Sequence, residues 1–169
     1  MTTEAFKLEL LPKKDKLFRL AIFLLKNREE AEDTVQEIYL KLWDMKEQLG
    51  KYNNLEAVMM TMTRNRCLDK LKTKREKFAS LNESINNQPY TSPMEQSIQQ
   101  DMVKQVKVLM TKLPEQQKTI IHLRDVEGCE YKEIQEITGF DSNYIRVNLS
   151  RARKSIRESL IKLEENELR

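Results

Sequence analysis

The chain has 169 residues, 39% hydrophobic and 34% charged, with three Gly, four Pro and a formal net charge of +3. Scarce turn formers beside abundant Leu, Lys, Glu, Gln, Met and Arg exclude a strand-rich domain and predict an all-α fold. Two distant cysteines, Cys67 and Cys129, and a single histidine, His122, argue against a disulfide scaffold, a zinc site or any other cofactor. No segment approaches the roughly 18 apolar residues of a membrane span, and the N-terminus lacks a signal-peptide core, so a cytoplasmic chain with reduced thiols is expected. Charge is uneven: residues 1 to 78 carry 17 basic and 13 acidic groups and residues 101 to 162 carry 12 and nine, a mildly basic balance that suits a polyanionic partner.

The first helical stretch runs from about Lys14 to Lys26, where Leu17, Phe18, Leu20, Ala21, Leu24 and Leu25 make a broad face to bury. Asn27 then restarts the chain. With Glu30 three residues on it resembles a capping box, and Glu29, Glu30, Glu32 and Asp33 place negative charge at the positive end of a second helix. This helix repeats Val35, Ile38, Tyr39, Leu42 and Trp43 at helical spacing, a stripe predicted to pack on the first helix, and leaves Asp33, Gln36, Glu37 and Lys41 outside. Its acidic face has no evident partner within the chain.

After Gly50 and the pair Asn53-Asn54, a third helix is predicted from about Leu55 to Lys77. It begins almost uncharged and ends in Arg64, Arg66, Lys70, Lys72, Lys74, Arg75 and Lys77, against only Asp69 and Glu76. Cations near a helix C-terminus answer its dipole, but seven exceed that need. From Ser80 to about Gln100 the text turns to Ser, Asn, Gln and Pro, which marks a linker and places two small domains at 1–78 and 101–169, with 79–100 between them.

Helical spacing resumes with Val103, Val106, Met110 and Leu113, and Pro114 opens another helix containing Ile120, Ile121 and Leu123 that Gly128 ends. Residues 131 to 157 then read as a helix-turn-helix. Ile134 and Ile137 mark the first helix, Gly139 tolerates the left-handed backbone of a helix stop, and Asp141 or Ser142 supplies an N-cap oxygen. The second helix repeats Ile145, Leu149, Ala152 and Ile156 inward, leaving Arg146, Arg151, Arg153, Lys154 and Arg157 elsewhere on its circumference. Cations there can meet phosphates, while Asn143, Asn148 and Ser150 can hydrogen-bond base edges; the same charges also suit a solvated helix.

This order of parts resembles the extracytoplasmic-function (ECF) group of bacterial sigma factors, over nearly the whole chain. AEDTVQEIYLKLW at 31–43 is similar to the group's polymerase-docking helix, and MTRNRCLDKLKTKR at 62–75 to its promoter-reading helix. LPEQQKTIIHLRDVEGCEYKEIQEITGF and NYIRVNLSRAR are similar to its C-terminal domain and to the helix that reads the upstream promoter element. The Met-rich segment from Val58 to Thr63 departs from the pattern, since many members carry an aromatic residue there.

The resemblance implies a non-enzymatic transcription initiation subunit. Its first domain would hold core RNA polymerase through Asp33, Gln36, Glu37, Leu40 and Lys41. That domain would also open DNA at the minus 10 element, with Asn65 receiving a flipped base beside Arg64, Arg66, Lys70, Lys72, Lys74 and Arg75. Asn143, Tyr144, Arg146, Val147, Asn148, Arg151, Arg153 and Lys154 would bind the minus 35 element as duplex. An anti-sigma factor is a further partner expected at the level of the group. The rival reading is a stand-alone helix-turn-helix regulator, which has no need of the acidic and basic helices of the first half. An enzyme fares worse, with one His, no Gly-rich phosphate loop and no acid/base or nucleophile constellation. Tyr52 reads as a packing residue, and Tyr90 is too isolated to assign.

Overall fold

The computed structural model describes residues 1–81 and 102–169, and all the regular structure there is helical. A short helix that the sequence does not announce comes first: α1, Thr3–Leu10, capped by the Thr2 hydroxyl, which accepts from the Ala5 amide at 3.1 Å. It buries Phe6 and Leu10. A 3-10 turn at Leu11–Lys13 leads into α2, Lys14–Leu25, whose Leu17, Leu20, Ala21, Leu24 and Leu25 are buried as the spacing predicts, with Phe18 half-buried. Lys26 closes α2 in the left-handed region at φ 54°, an unusual conformation for a side chain with a Cβ.

Asn27 caps α3, Arg28–Asp44, by accepting from the Glu30 amide at 3.0 Å. Only that half of the expected box forms, because the Glu30 carboxylate pairs with Lys74 at 2.7 Å instead. Val35, Ile38 and Leu42 are buried; Tyr39 reaches across to donate to the Leu10 carbonyl at 2.6 Å. Trp43 departs from the predicted stripe: it lies edge-on to Phe6 at 5.2 Å with 38% of its surface exposed.

A 3-10 segment, Lys46–Lys51, buries Leu49 and delivers the chain to α4, Leu55–Leu81. Asn54 caps α4 by accepting from the Ala57 amide at 3.0 Å. This helix outruns the expected end by four residues, so it takes in residues 79–81 of the predicted linker; the rest of that linker, with Tyr90, lies outside the described residues. Met59, Met60 and Cys67 pack in the core of the first domain, where burial pushes the Cys67 thiol up to about 12.

The second domain begins with α5, Met102–Thr111, where Met110 is buried but Val103, expected in the core, stands exposed. Pro114 precedes α6, Glu115–Ile121, which runs on as a π turn at His122–Val126 and stops at Gly128, φ 69°. Helix α7, Tyr131–Thr138, has a complete capping box between Glu130 and Glu133, and Gly139 ends it at φ 75°. Asp141 then caps α8, Ser142–Glu167, accepting from the Tyr144 amide at 2.8 Å. Ile134, Ile137, Ile145, Leu149, Ala152 and Ile156 are all buried, the arrangement their spacing predicts. No helix among the described residues is long and apolar enough to cross a membrane.

The two helical domains pack on each other, α4 against α7 and α2 against the turn after α6. The sequence reading of two bundles on a tether does not anticipate that contact.

Candidate nucleic-acid interface

Helices α3 and α4 lie side by side and exchange charge. Glu37 accepts from Arg66 and, at 3.1 Å, from Lys70, while Lys70 also donates to the Thr34 hydroxyl at 2.8 Å. The Arg66 hydrogen bond holds the Glu37 carboxyl below the usual carboxylate range, the Lys70 contact assisting against partial burial. With Lys74 on Glu30, three of the predicted DNA-binding cations are therefore committed to α3. This corrects the reading of an acidic face without internal partners: Glu30 and Glu37 are counterions of α4. Asp33, Gln36, Leu40 and Lys41 do face solvent, and Leu40 is 66% exposed, an apolar side chain presented amid polar neighbours.

The remaining members of the basic run divide further. Lys72 is exposed, whereas Arg75 reaches the second domain and donates to Glu115 at 3.2 Å. Arg64 packs between the domains, its guanidinium 5.4 Å from the Phe140 ring centre, and burial lowers its pKa from the usual arginine value. Its Nε is buried with no acceptor. Asn65 is exposed, its Oδ1 accepting a long 3.4 Å contact from Arg64. Val58, Thr61, Met62 and Asn65 follow one another at i, i+3, i+4 and i+7 and so share a face of α4. That face borders a cleft of about 470 Å³ lined by Tyr52, Asn53, Asn54, Ala57, Val58, Thr61, Met62 and Glu136. Tyr52, expected to be packing, is 43% exposed at its edge.

In the helix-turn-helix, the αL backbone at Gly139 and the Asp141 cap aim α8 outward, and the Phe140 and Tyr144 rings meet at 4.8 Å to brace the turn. Asn143, Tyr144, Arg146, Val147, Arg151, Arg153 and Lys154 are all exposed. Arg146 and Arg153, seven residues apart, lie along one flank, where Arg146 covers the Tyr131 ring at 5.4 Å and Arg153 forks onto Asp125 at 3.0 and 2.6 Å. Lys154 lies a loose 3.9 Å from Glu158. Asn148 does not join them. It is 8% exposed, and its side-chain amide donates to the Tyr144 carbonyl at 2.9 Å. Three residues after Ile145 it falls about 60° from the buried stripe, close enough to be drawn in, and one N–H of its amide is held inside the helix. Little of its side chain is therefore left to meet a base edge.

Sequence reasoning missed the residues that join the domains. Arg19 of α2 forks onto Glu127 at 2.8 and 2.9 Å, and Phe23 stacks on His122 at 4.6 Å with the rings 21° from parallel. His122, read as an ordinary core residue, is buried at this joint, its Nε2 3.3 Å from Glu127 but off the line of a hydrogen bond. One signal was available: Phe23 sits on the otherwise charged side of α2, four residues from Arg19, where an aromatic ring has no reason to face water.

The family description Sigma-70 region 2 matches residues 13–77, and Sigma-70, region 4 matches residues 104–156. A probable RNA polymerase sigma factor RfaY of Xanthomonas campestris is 26% identical over 84% of this chain and 37% of its own length. The ECF RNA polymerase sigma factor SigE of Mycolicibacterium smegmatis is 26% identical over 88% and 58%. The sigma factor SigV of Bacillus subtilis is 28% identical over 88% of this chain and 87% of its own length. The chain thus spans less than two thirds of the first two of these relatives. Among solved structures, the sigma factor RpoE of Bartonella quintana, crystallised with the anti-sigma factor NepR, superposes with a TM-score of 0.76. That likeness is 25% identical in sequence and covers 94% of this chain and 98% of that one. With regions 2 and 4 in order on the two helical domains, the chain belongs to the ECF group of the sigma-70 family.

Proposed function

We propose that this chain is the promoter-specificity subunit of RNA polymerase, without a catalytic step of its own and working in the cytoplasm. Residues 1–78 would hold core polymerase through the exposed Asp33, Gln36, Leu40 and Lys41 of α3 and take the melted minus 10 element on α4. Residues 101–169 would hold the minus 35 duplex on α8, across a linker at 79–100. The observation that carries the reading is the coexistence of two separate exposed polar faces on one chain. One is a helix face ending in an exposed Asn65 above a cleft; the other is the outward face of a capped helix-turn-helix.

The chemistry of each face fits its target. A side-chain amide offers both donor and acceptor to a base edge, and extruding a base costs only a few kcal/mol, so Asn65 can discriminate on an unpaired strand. The α8 face presents cations, Tyr144 and Val147 to a groove, the mixture that positions on phosphates and reads apolar and polar edges. A stand-alone regulator would leave the paired α3 and α4, and the match to region 2, without a role. An anti-sigma partner is also proposed, by likeness to the RpoE complex with NepR. The test is run-off transcription by core polymerase with the chain added: promoter-dependent transcripts support the reading, and no retention of the chain on immobilised core would overturn it.

A further inference from the structure

We propose that Tyr131 is the positioning residue for Arg146: its ring holds the Arg146 guanidinium at the duplex-reading face and so sets which base pair α8 selects. This rests on the function just proposed. Tyr131 is the first residue of α7, fixed there by the Glu130 and Glu133 capping box, and its half-buried ring packs against the hydrophobic core. The turn at Gly139 then folds α8 back toward that ring. Ile145 is fully buried, and the next residue along a helix turns about 100° away, which carries Arg146 out to the exposed rim, where it lies over Tyr131 at 5.4 Å from the ring centre.

Two arginines share the ring, and they differ in freedom. Arg124 lies 4.8 Å from the ring centre and is tied down, because it also donates to the Cys129 carbonyl at 2.9 Å. Arg146 has the ring alone: among the described residues no acidic group pairs with it, and the nearby Asp125 is already forked by Arg153. A cation–π contact holds a guanidinium by its charge and consumes none of its five N–H donors. The group can turn over the ring, yet it is kept from the many rotamers of an unrestrained arginine, whose ordering would otherwise be charged against binding. A carboxylate partner, as at Arg153, spends those donors instead. Arg146 is thus both restrained and fully available, the state that favours a bidentate contact with a base edge.

The test uses holoenzyme assembled from core polymerase and the full chain, bound to duplex DNA randomised over the minus 35 element. Tyr131→Phe keeps the ring and loses the hydroxyl, whereas Tyr131→Leu keeps apolar packing and loses the ring. Tyr131→Phe carrying three ring fluorines keeps the shape but removes the negative face, so a packing defect cannot imitate its effect. The plain Phe variant should bind the selected duplex within about twofold of the unaltered chain. The Leu and fluorinated variants should each lose about fivefold and relax preference at the base pair that Arg146→Ala relaxes, and adding Arg146→Ala to either should cost nothing further at that pair. An unchanged preference in the Leu and fluorinated variants, an even loss across all sequences, or a Phe variant as weak as Leu would each overturn the positioning role. Selection by the unaltered holoenzyme reads the sigma role separately: if it persists while the Tyr131 variants leave it untouched, only this inference falls, and if the unaltered holoenzyme selects nothing, both fall.

Discussion

In the proposed reading, Asn65 and Arg146 would carry the recognition ascribed to single residues. Asn65→Ala should leave retention on core polymerase intact and reduce open-complex formation by about tenfold or more, the loss of one base contact of 1 to 3 kcal/mol; permanganate reactivity of the minus 10 strand measures it. At α8 the structure separates two arginines that the sequence presents alike. Arg153 is forked onto Asp125, so Arg153→Ala removes an intradomain brace as well as a cation, and should weaken binding evenly across sequences. Arg146, whose guanidinium caps only the Tyr131 ring, is free to turn, and Arg146→Ala should change which minus 35 sequence is selected from a randomised duplex library. Asn148→Ala should not change it, because that amide already serves the Tyr144 carbonyl. Residue type and spacing made Asn65, Arg146 and Asn148 visible as candidates. They could not reveal that Asn148 flanks the buried stripe closely enough to be drawn in, nor that Glu37 neutralises Arg66 and Lys70, since cross-helix pairing depends on how two helices rotate on each other.

Helices were the most legible level. Apolar repeats at three and four place the cores of α2, α3, α7 and α8, and the caps at Asn27, Gly139 and Asp141 fall where side-chain chemistry puts them. Asp141→Ala should cost about 1 kcal/mol in thermal or denaturant unfolding, the usual worth of an N-cap, and should weaken minus 35 binding by loosening the first turn of α8. Gly139→Ala should cost about 1 to 2 kcal/mol by forcing a Cβ into the left-handed region, since open space surrounds the position and no clash contributes. What periodicity left out is equally physical. Helix α1 is eight residues long and held by Phe6 and Leu10, too few apolar points to define a period. Helix α4 outlasts its amphipathic stretch, because its last turns, with Phe78 and Leu81 exposed, are continued by backbone hydrogen bonds and not by a buried face.

Across the whole molecule, the joint between domains ties stability to pH. Burial disfavours the Glu127 carboxylate, but the Arg19 guanidinium and the adjacent His122 ring together outweigh it and hold this group down to about 2, from an ordinary value of 4.5. A carboxyl lowered in the folded state contributes fully above its ordinary value and loses that contribution as pH falls toward about 2. The contribution of Glu127, read as the difference in denaturant stability between the chain and Glu127→Gln, should therefore be largest at pH 7 to pH 5 and shrink below about 4. A difference that grew on acidification would contradict the assignment. None of this was legible in the sequence beyond the stray aromatic at Phe23, because a contact between Arg19 and Glu127 spans most of the chain and obeys no local pattern.

The central claim is that one chain directs polymerase through two DNA faces at once. Core polymerase, with and without the chain, can be given a library of templates randomised over both promoter elements, and the transcribed templates sequenced. The account predicts selection of two short motifs at a fixed separation that appears only when the chain is present. With Asn65→Ala the downstream motif should be lost, and with Arg146→Ala the upstream one should change. Identical template usage with and without the chain would contradict it.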